Sequence, residues 1–365
     1  MQFIKPFKRK PKLELVSHGY NTNFTIGQND QIFVTYTYKG CLYLAKKIAD
    51  SKWDIMPIEE ISSLIGSCPS IAIDNENRVH IAYCDMDRTI DGVRYGALCY
   101  AVIENGKMSI NVLDKGWPNY CGVYPSLAIS NSGNIAITYH YDGSGHKDKN
   151  QELIKIATWD KNKWEIKPVK QSEHGGHRSF VIFDEHDNLH IAFNSTESLG
   201  SWINGPIYYA YGNNDDFKIE EVFKGFAIQP SMILDGKGIP RISYVFESED
   251  KKEYLGYAVK KNNSWIVSDL GLSAYSSSGG TSSIAINKEG FPMIAFNDGE
   301  LLKLATFNGN TWQAETIWEN KSRDSWKNPL CPVNPVTKVD KNGNSLICFS
   351  QYSVISNHEV CLIHM

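Results

Sequence analysis

The segments SIAIDNENRVHIAY (Ser70–Tyr83) and SLAISNSGNIAITY (Ser126–Tyr139) decide the fold. In each, a short apolar strand is followed by a polar turn and by a second strand that ends in an aromatic residue. The pattern occurs five more times: NFTIGQNDQIFVTY (Asn23–Tyr36), SFVIFDEHDNLHIAF (Ser179–Phe193), SMILDGKGIPRISY (Ser231–Tyr244), SIAINKEGFPMIAF (Ser283–Phe296) and VTKVDKNGNSLICF (Val336–Phe349). The chain therefore contains seven copies of one β-hairpin, and such internal repetition determines the fold class.

The copies begin near positions 23, 70, 126, 179, 231, 283 and 336, at intervals of 47–56 residues. The residues from 336 to the C-terminus and those from the N-terminus to position 23 together make one further interval, of 52 residues. This closure of the period indicates a ring rather than an open solenoid.

Each hairpin is followed by a third apolar strand, such as LCYAVI, and by a fourth strand that often opens with Trp. The last copy stops after its third strand, and LELVS (Leu13–Ser17) fits its missing fourth strand. Four short strands in a unit of about 50 residues are typical of a β-propeller blade. We therefore predict an all-β protein: a single domain over residues 1–365, a seven-bladed β-propeller closed by an N-terminal strand that completes the last blade, with a basic tail over residues 1–12.

Composition narrows the classes of partner. With 37 Lys and Arg against 41 Asp and Glu, the net charge is −4, and we expect no nucleic-acid partner. No apolar run reaches the roughly 18–20 residues of a membrane span, so we expect no membrane partner. The eight Cys form no CxxC pair, and no apolar signal segment follows the basic N-terminus. These features favour a cytoplasmic protein with unpaired cysteines, with a mature secreted fragment as the alternative; they do not predict an oligomeric state.

Alternating strand directions place the short turns of all blades on one face and the long, irregular connections on the other, which we call the long-loop face. Function concentrates in long connections, and six of the ten His fall on this face, whereas His80 and His190 lie inside second strands and are interpreted as structural. The mouth of the central pore is predicted to be lined by the residues just before each first strand (Cys68, Tyr124, His177, Arg178, Gln229, Thr281 and Asn334) and just after each second strand (Thr37, Cys84, His140, Asn194, Val245, Asn297 and Ser350).

The third and fourth copies contain the closest groups of side chains suited to acid–base or binding chemistry, in the segments Tyr139–Asp142 and His174–Arg178. Histidine and tyrosine can serve as base and acid while an arginine holds an anion. A metal held by His140, His174, His177 and Asp142 is a minority interpretation, and we otherwise expect no cofactor. The third possibility is that these groups only bind a polar ligand.

The segments PSIAIDNENRVHIAYCDMD, LCYAVI and FNGNTW resemble the sialidase-like, BNR-type repeat propellers of bacterial proteins. The resemblance covers nearly the whole chain. Members include sialidases, polysaccharide lyases such as ulvan lyases, and lectins, which implies a glycan ligand. The Asp-box of sialidases, SxDxGxTW, is represented only by ends such as NGNTW (Asn308–Trp312), and we transfer no catalytic residue from this family.

The strand framework repeats but the loops do not, which favours one off-centre site on the long-loop face. We predict that this site recognises a carbohydrate or another polar small molecule. The alternative is an enzyme of the polysaccharide lyase or glycosidase type, with His140, His177, Tyr141 and Arg178 as catalytic residues. A third interpretation, a protein-interaction scaffold, would need an exposed apolar patch. The predicted ligand-binding residues are Asp85, Trp117, Tyr124, Asp142, His174, Asn194, Trp202 and Asn297.

Overall fold

The structure is a computed structural model that describes residues 11–61, 69–116, 121–142, 152–169, 178–195, 205–213, 216–275, 282–319, 331–352 and 358–365. These residues form strands joined by turns and bends. Within the same ranges, no helix has the length and apolar character needed to cross a membrane.

The described part of the chain contains twenty-seven strands: β1 (Lys12–His18), β2 (Tyr20–Ile26), β3 (Ile32–Tyr38), β4 (Cys41–Ala49), β5 (Lys52–Glu60), β6 (Ser70–Ile73), β7 (Val79–Ile90), β8 (Val93–Glu104), β9 (Lys107–Gly116), β10 (Cys121–Ile129), β11 (Ile135–Asp142), β12 (Glu152–Trp159), β13 (Trp164–Pro168), β14 (Ser179–Phe183), β15 (Leu189–Asn194), β16 (Gly205–Asn213), β17 (Asp216–Leu234), β18 (Pro240–Glu247), β19 (Glu253–Lys261), β20 (Ser264–Ser273), β21 (Ser283–Ile286), β22 (Pro292–Asn297), β23 (Leu301–Phe307), β24 (Trp312–Glu319), β25 (Cys331–Val339), β26 (Ser345–Tyr352) and β27 (Glu359–His364).

Hydrogen bonds group these strands into six antiparallel sheets, five with four strands and one with seven. The larger sheet arises because β17 pairs with β16 between residues 216 and 227 and with β18 between residues 227 and 234. The first half of β17 thus acts as the fourth strand of the fourth repeat, and the second half as the first strand of the fifth. The all-β propeller fold is as predicted, whereas seven separate blades stay a prediction because β17 runs through two of them.

The N-terminal strand completes the last sheet. β1 pairs with β27 from Lys12 opposite His364 to His18 opposite Glu359, which confirms the predicted closure. The first strands of the seven repeats contact one another in chain order, and β25 also contacts β2. The inner strands therefore form a closed ring.

The aromatic residue that ends the second strand is buried in every repeat, because it packs between neighbouring sheets. In the seventh repeat, Phe349 packs edge-on against Trp318 of the sixth, with ring centroids 5.1 Å apart. Burying one such side chain contributes about 1.5–3 kcal/mol. The seven residues are Tyr36, Tyr83, Tyr139, Phe193, Tyr244, Phe296 and Phe349, each at most 2% exposed.

The tryptophan that opens several fourth strands joins repeats in a similar way. It meets a third-strand tyrosine of the preceding repeat edge-on, with centroids 5.0 or 5.1 Å apart, in the pairs Tyr100–Trp164, Tyr209–Trp265 and Tyr257–Trp312. These aromatic pairs are therefore part of the packing between repeats.

Serines join the inner strands. Each first strand pairs with its own second strand along one edge, so backbone N–H groups on the other edge need another acceptor. The Ser231 hydroxyl accepts the backbone N–H of Ile284 in the next repeat at 3.2 Å. The same contact recurs in the pairs Ser70–Leu127, Ser126–Val181 and Ser283–Thr337, at 2.9–3.1 Å. Four of the junctions around the ring therefore carry one serine hydrogen bond.

We expect Ser231→Ala to lower the free energy of unfolding by about 1–3 kcal/mol, because the buried N–H of Ile284 loses its acceptor. Urea denaturation measures this change. Ser179→Ala is the matched control, because the buried Ser179 hydroxyl has no hydrogen-bond partner in the described part of the chain, and we expect a change below about 0.5 kcal/mol. Equal losses in the two variants would contradict the role of the serine bond.

Candidate functional site

The residue that enters each first strand on the long-loop face has a distinctive backbone. We call it the entry position; it lies two residues before the residue aligned with Ser126. Tyr124, Gln229 and Asn334 occupy this position and have φ values of 49–51°. The register of β10 against β11 shifts between Val123 and Ser126, which marks a β-bulge. Positive φ is unusual for a residue as bulky as tyrosine and is characteristic of functional sites.

In the fourth repeat the entry position belongs to Arg178. Phe180 pairs with Ala192, one residue before the buried Phe193, in the same way that Ser126 pairs with Thr138, one residue before Tyr139. Both His177 and Arg178 were predicted at this mouth, and the strand register identifies Arg178 as the equivalent of Tyr124.

The entry positions open into a central cavity of about 500 Å³ that the first strands of all seven repeats line. Among the described residues that line it, none is Asp, Glu or His, and most are Ser, Thr, Asn, Pro and aliphatic residues. The prediction that entry residues surround the pore mouth therefore agrees with the positions of Tyr124, Arg178, Gln229 and Asn334.

Arg178 is held at this mouth by two neighbours. Its guanidinium carbon lies 3.8 Å from the centre of the Tyr124 ring, a cation–π contact. Asn194 forms two hydrogen bonds with the Arg178 backbone. The Asn194 side-chain oxygen accepts the Arg178 N–H at 3.0 Å, and the Asn194 backbone N–H donates to the Arg178 carbonyl at 3.1 Å. The Arg178 Nε is buried, and no described residue forms a hydrogen bond with it. Stacking thus positions the guanidinium and leaves N–H donors for an anion.

Arg178 also differs from the other arginines that the structure describes. Arg88 binds Glu59 at 2.7 Å and Arg241 binds Asp235 at 2.8 Å. The remaining two, Arg78 and Arg94, bind Asp74 and Asp87 at 2.5 and 3.2 Å. Arg178 forms no ion pair with a described residue. Among the described residues, the positive charge of Arg178 at the mouth of the cavity therefore has no acidic partner.

The residues just after each second strand are buried behind the mouth instead of lining it, which differs from the expectation. In the third repeat, for example, His140 pairs with Val123, which directly precedes the entry position. Asn194 therefore positions Arg178, and the side-chain oxygen of Asn297 accepts the Gly299 N–H at 3.1 Å. The seven residues are Thr37, Cys84, His140, Asn194, Val245, Asn297 and Ser350, each at most 4% exposed.

Tyr141 belongs to a cluster between the second and third repeats. The Lys155 ammonium lies 3.5 Å from the centre of the Tyr141 ring and donates to Asp114 at 2.9 Å. The Tyr139 hydroxyl donates to the same carboxylate at 2.6 Å, and burial raises the pKa of Tyr139 well above its usual value. Neither His140 nor Tyr141 is among the described residues that line the central cavity with Arg178.

Asp85 lies in a different cavity, of about 940 Å³, between the first and second repeats. It is 5% exposed, 3.7 Å from Arg88, and shares this cavity with Glu59. The two cavities have no described lining residue in common. The structure therefore does not place Asp85 with Tyr124 and Arg178.

Several predicted site residues, Trp117, His174, His177 and Trp202, lie outside the described residues, as does the side chain of Asp142. Within the described part, no three His, Cys, Asp or Glu side chains come together as a metal site. Since most of the proposed metal ligands lie outside that part, the metal interpretation stays a prediction.

His80 and His190 are interior hydrogen-bonded residues, as their position inside second strands indicated. The two His80 ring nitrogens contact the Tyr100 hydroxyl at 2.5 Å and the Asp74 carboxylate at 3.1 Å. His190 has the same arrangement with Tyr209 and Asp184 at 2.7 and 3.5 Å. Burial lowers the pKa of both imidazoles.

No protein-family model matches this sequence, and no characterised protein matches it at the sequence level. Solved structures do match the fold. The polysaccharide lyase Uly1 aligns with a TM-score of 0.54 at 11% identity, over 96% of this chain and 90% of the lyase. An ulvan lyase of polysaccharide lyase family PL25, bound to -[GlcA(1-4)Rha3S]-, aligns with a TM-score of 0.63 at 12% identity, over 96% and 93%.

A sialidase from Trypanosoma rangeli aligns with a TM-score of 0.51 at 10% identity, over 99% of this chain and 60% of the sialidase. The chain therefore has the β-propeller fold of the sialidase-like proteins that its repeats resemble. At these identities the similarity concerns the fold.

We expect Tyr139→Phe to lower the free energy of unfolding by about 1–2 kcal/mol, because the partly buried Asp114 carboxylate loses a hydrogen-bond donor. Chemical denaturation is the measurement. Tyr244→Phe is the control at the same repeat position, because the buried Tyr244 hydroxyl has no hydrogen-bond partner among the described residues. Its removal should be neutral or slightly stabilising. A larger loss in the Tyr244 variant would refute this explanation.

The buried histidines predict a pH dependence. Their pKa values in the folded state lie below the ordinary 6.5, so below that pH the unfolded chain binds protons that the folded protein does not. The contribution of the two histidines to the free energy of unfolding is therefore fully present above pH 6.5. It is lost as the pH falls from 6.5 through the folded-state pKa of the imidazoles.

Thermal unfolding between pH 7.5 and 5 should show a smaller loss of stability in His80→Gln than in the wild type. His186→Gln, in an exposed turn, should keep the wild-type slope. An unchanged slope in His80→Gln would contradict the assignment.

Proposed function

We propose that the protein binds an acidic glycan at the long-loop mouth of the central cavity. Arg178 binds a carboxylate or sulfate group of the sugar chain, and Tyr124 and Asn194 hold Arg178 in place. A guanidinium presents N–H donors in a plane that matches the geometry of a carboxylate or sulfate.

The observation that carries this proposal is the state of Arg178. It lines a cavity whose described lining contains no acidic side chain, and it is positioned without an ion pair to a described residue. An uncompensated charge that is partly removed from water is costly. Binding an anion offsets this cost, so an anionic ligand fits the site better than a neutral one.

The choice of a glycan is supported by the fold comparison. Solved structures with this fold include polysaccharide lyases and a sialidase. The PL25 ulvan lyase is bound to a chain of GlcA and Rha3S, that is, to a sugar acid and a sulfated sugar. A uronate or a sulfated sugar therefore combines the glycan class of these proteins with the charge that Arg178 requires.

Catalysis of the lyase or glycosidase type is the second candidate. It needs a general base beside the bound acid, but among the described residues His140 is buried and Tyr139 has a strongly raised pKa. The candidate therefore depends on His174 and His177, which lie outside the described residues. For this reason binding is proposed first.

The test of binding is titration calorimetry with oligosaccharides that contain glucuronate or sulfated rhamnose, and with neutral oligosaccharides of the same length. We expect Arg178→Met to weaken binding of the acidic chains roughly 10- to 100-fold, because a charge-assisted hydrogen bond is lost. Arg178→Lys should lose less, since it keeps the charge.

Arg94→Met is the control, because it removes one charge from the same face at an exposed arginine already paired with Asp87. Unchanged affinity in Arg178→Met, or equal affinity for neutral chains, would refute the proposal. Turnover of the acidic polymers, lost in both Arg178→Met and His177→Ala, would instead establish the enzyme.

A further inference from the structure

A lysine occupies the interior of the ring of first strands. Lys338 lies in β25, two residues before Asp340, which opens the short turn of the seventh repeat. The same position in the other six repeats, counted back from the residue that opens each short turn, carries no charge: it holds Thr25, Ala72, Ala128, Ile182, Ile233 and Ala285. A charged side chain at this level of the ring is therefore peculiar to the seventh repeat.

The surroundings of Lys338 do not compensate its charge. It lines the central cavity, whose described lining includes no acidic side chain. No hydrogen bond or ion pair joins its ammonium to another described residue. Asp340 is engaged in its own turn, where it accepts backbone N–H groups of Asn342 and Asn344 at 2.9 and 2.8 Å. Burial lowers the pKa of Lys338.

Lys338 lies deeper in the cavity than Arg178. Arg178 lies at the entry position of its strand, and Lys338 lies four positions further along the equivalent strand, counted from Asn334. Four residues of extended strand span roughly 13 Å. The backbones of the two residues therefore stand at different levels of the cavity.

We propose that Lys338 forms an inner anion site in the central cavity, which takes a small carboxylate or oxyanion. The site goes beyond the glycan site at Arg178 and does not depend on it. Its anion comes either from a free ion or from an acidic group of a sugar unit that enters the cavity. Both sources present the same oxygen-bearing negative charge to Lys338.

The experiment is thermal unfolding in low-salt buffer with added sodium sulfate, sodium acetate or glucuronate, and with sodium chloride at equal ionic strength. We expect sulfate or acetate to raise the melting temperature of the wild type by several degrees beyond the chloride effect, because a ligand that binds only the folded state stabilises it. This shift should disappear in Lys338→Met. If only glucuronate gives the Lys338-dependent shift, the anion is the acidic group of a sugar.

The Lys338→Met protein is expected to fold. Without added anion it should melt at a higher temperature than the wild type, because it lacks a partly buried ammonium that has no acidic partner among the described residues. Lys237→Met is the matched control: it removes one charge from the short-turn side of the fifth repeat and should keep the wild-type response.

The proposal is overturned if the shift persists in Lys338→Met, if it is lost equally in Lys237→Met, or if no anion gives a shift beyond that of chloride. Arg178→Met separates the two proposals. Loss of the shift in Arg178→Met alone would place the anion at the mouth and refute the inner site. Unchanged glycan affinity in Arg178→Met refutes the proposed glycan site, whether or not Lys338 responds to anions.

Discussion

The closed ring of inner strands is the constraint on which the rest of the structure depends. Each inner strand has only one strand neighbour within its sheet, so its other edge must find hydrogen-bond partners without a paired strand. Serine hydroxyls accept N–H groups from the next repeat at several junctions, and β1 closes the last sheet against β27. Because side chains rather than strands bridge the junctions, a cavity remains along the axis.

Arg178 and Lys338 are the two charged residues in the described lining of that cavity. Small polar and aliphatic residues from all the repeats form its wall, and the described lining contains no acidic side chain. Several partly buried cations elsewhere are paired, as in the contacts of Arg88 with Glu59 and of Lys155 with Asp114. Arg178 and Lys338 lie at two levels of one channel, and neither forms an ion pair with a described residue.

The same repeat position serves different purposes in different repeats. At the end of the second strand, the Tyr139 hydroxyl donates to a carboxylate of the preceding repeat. The hydroxyl of Tyr244, at the same repeat position, has no hydrogen-bond partner among the described residues. His80 and His190 bridge an aspartate and a tyrosine, and Arg241 takes that place in the fifth repeat between Asp235 and Tyr257. The framework thus tolerates exchange of chemistry while the packing between repeats is kept.

The sequence alone determined the all-β propeller, the closing strand and the entry positions, because strand periodicity, turn residues and repeat length are properties of local sequence. It also held the signal for Lys338, since VTKV has a charged residue where SIAI and SLAI have alanine. Only the tertiary structure decided that His140 and Asn194 are buried, that Asp85 lines another cavity, and that Arg178 stacks on Tyr124 without an acid. Burial and pairing depend on residues that come from other repeats, far away in the chain, and no local pattern records those neighbours.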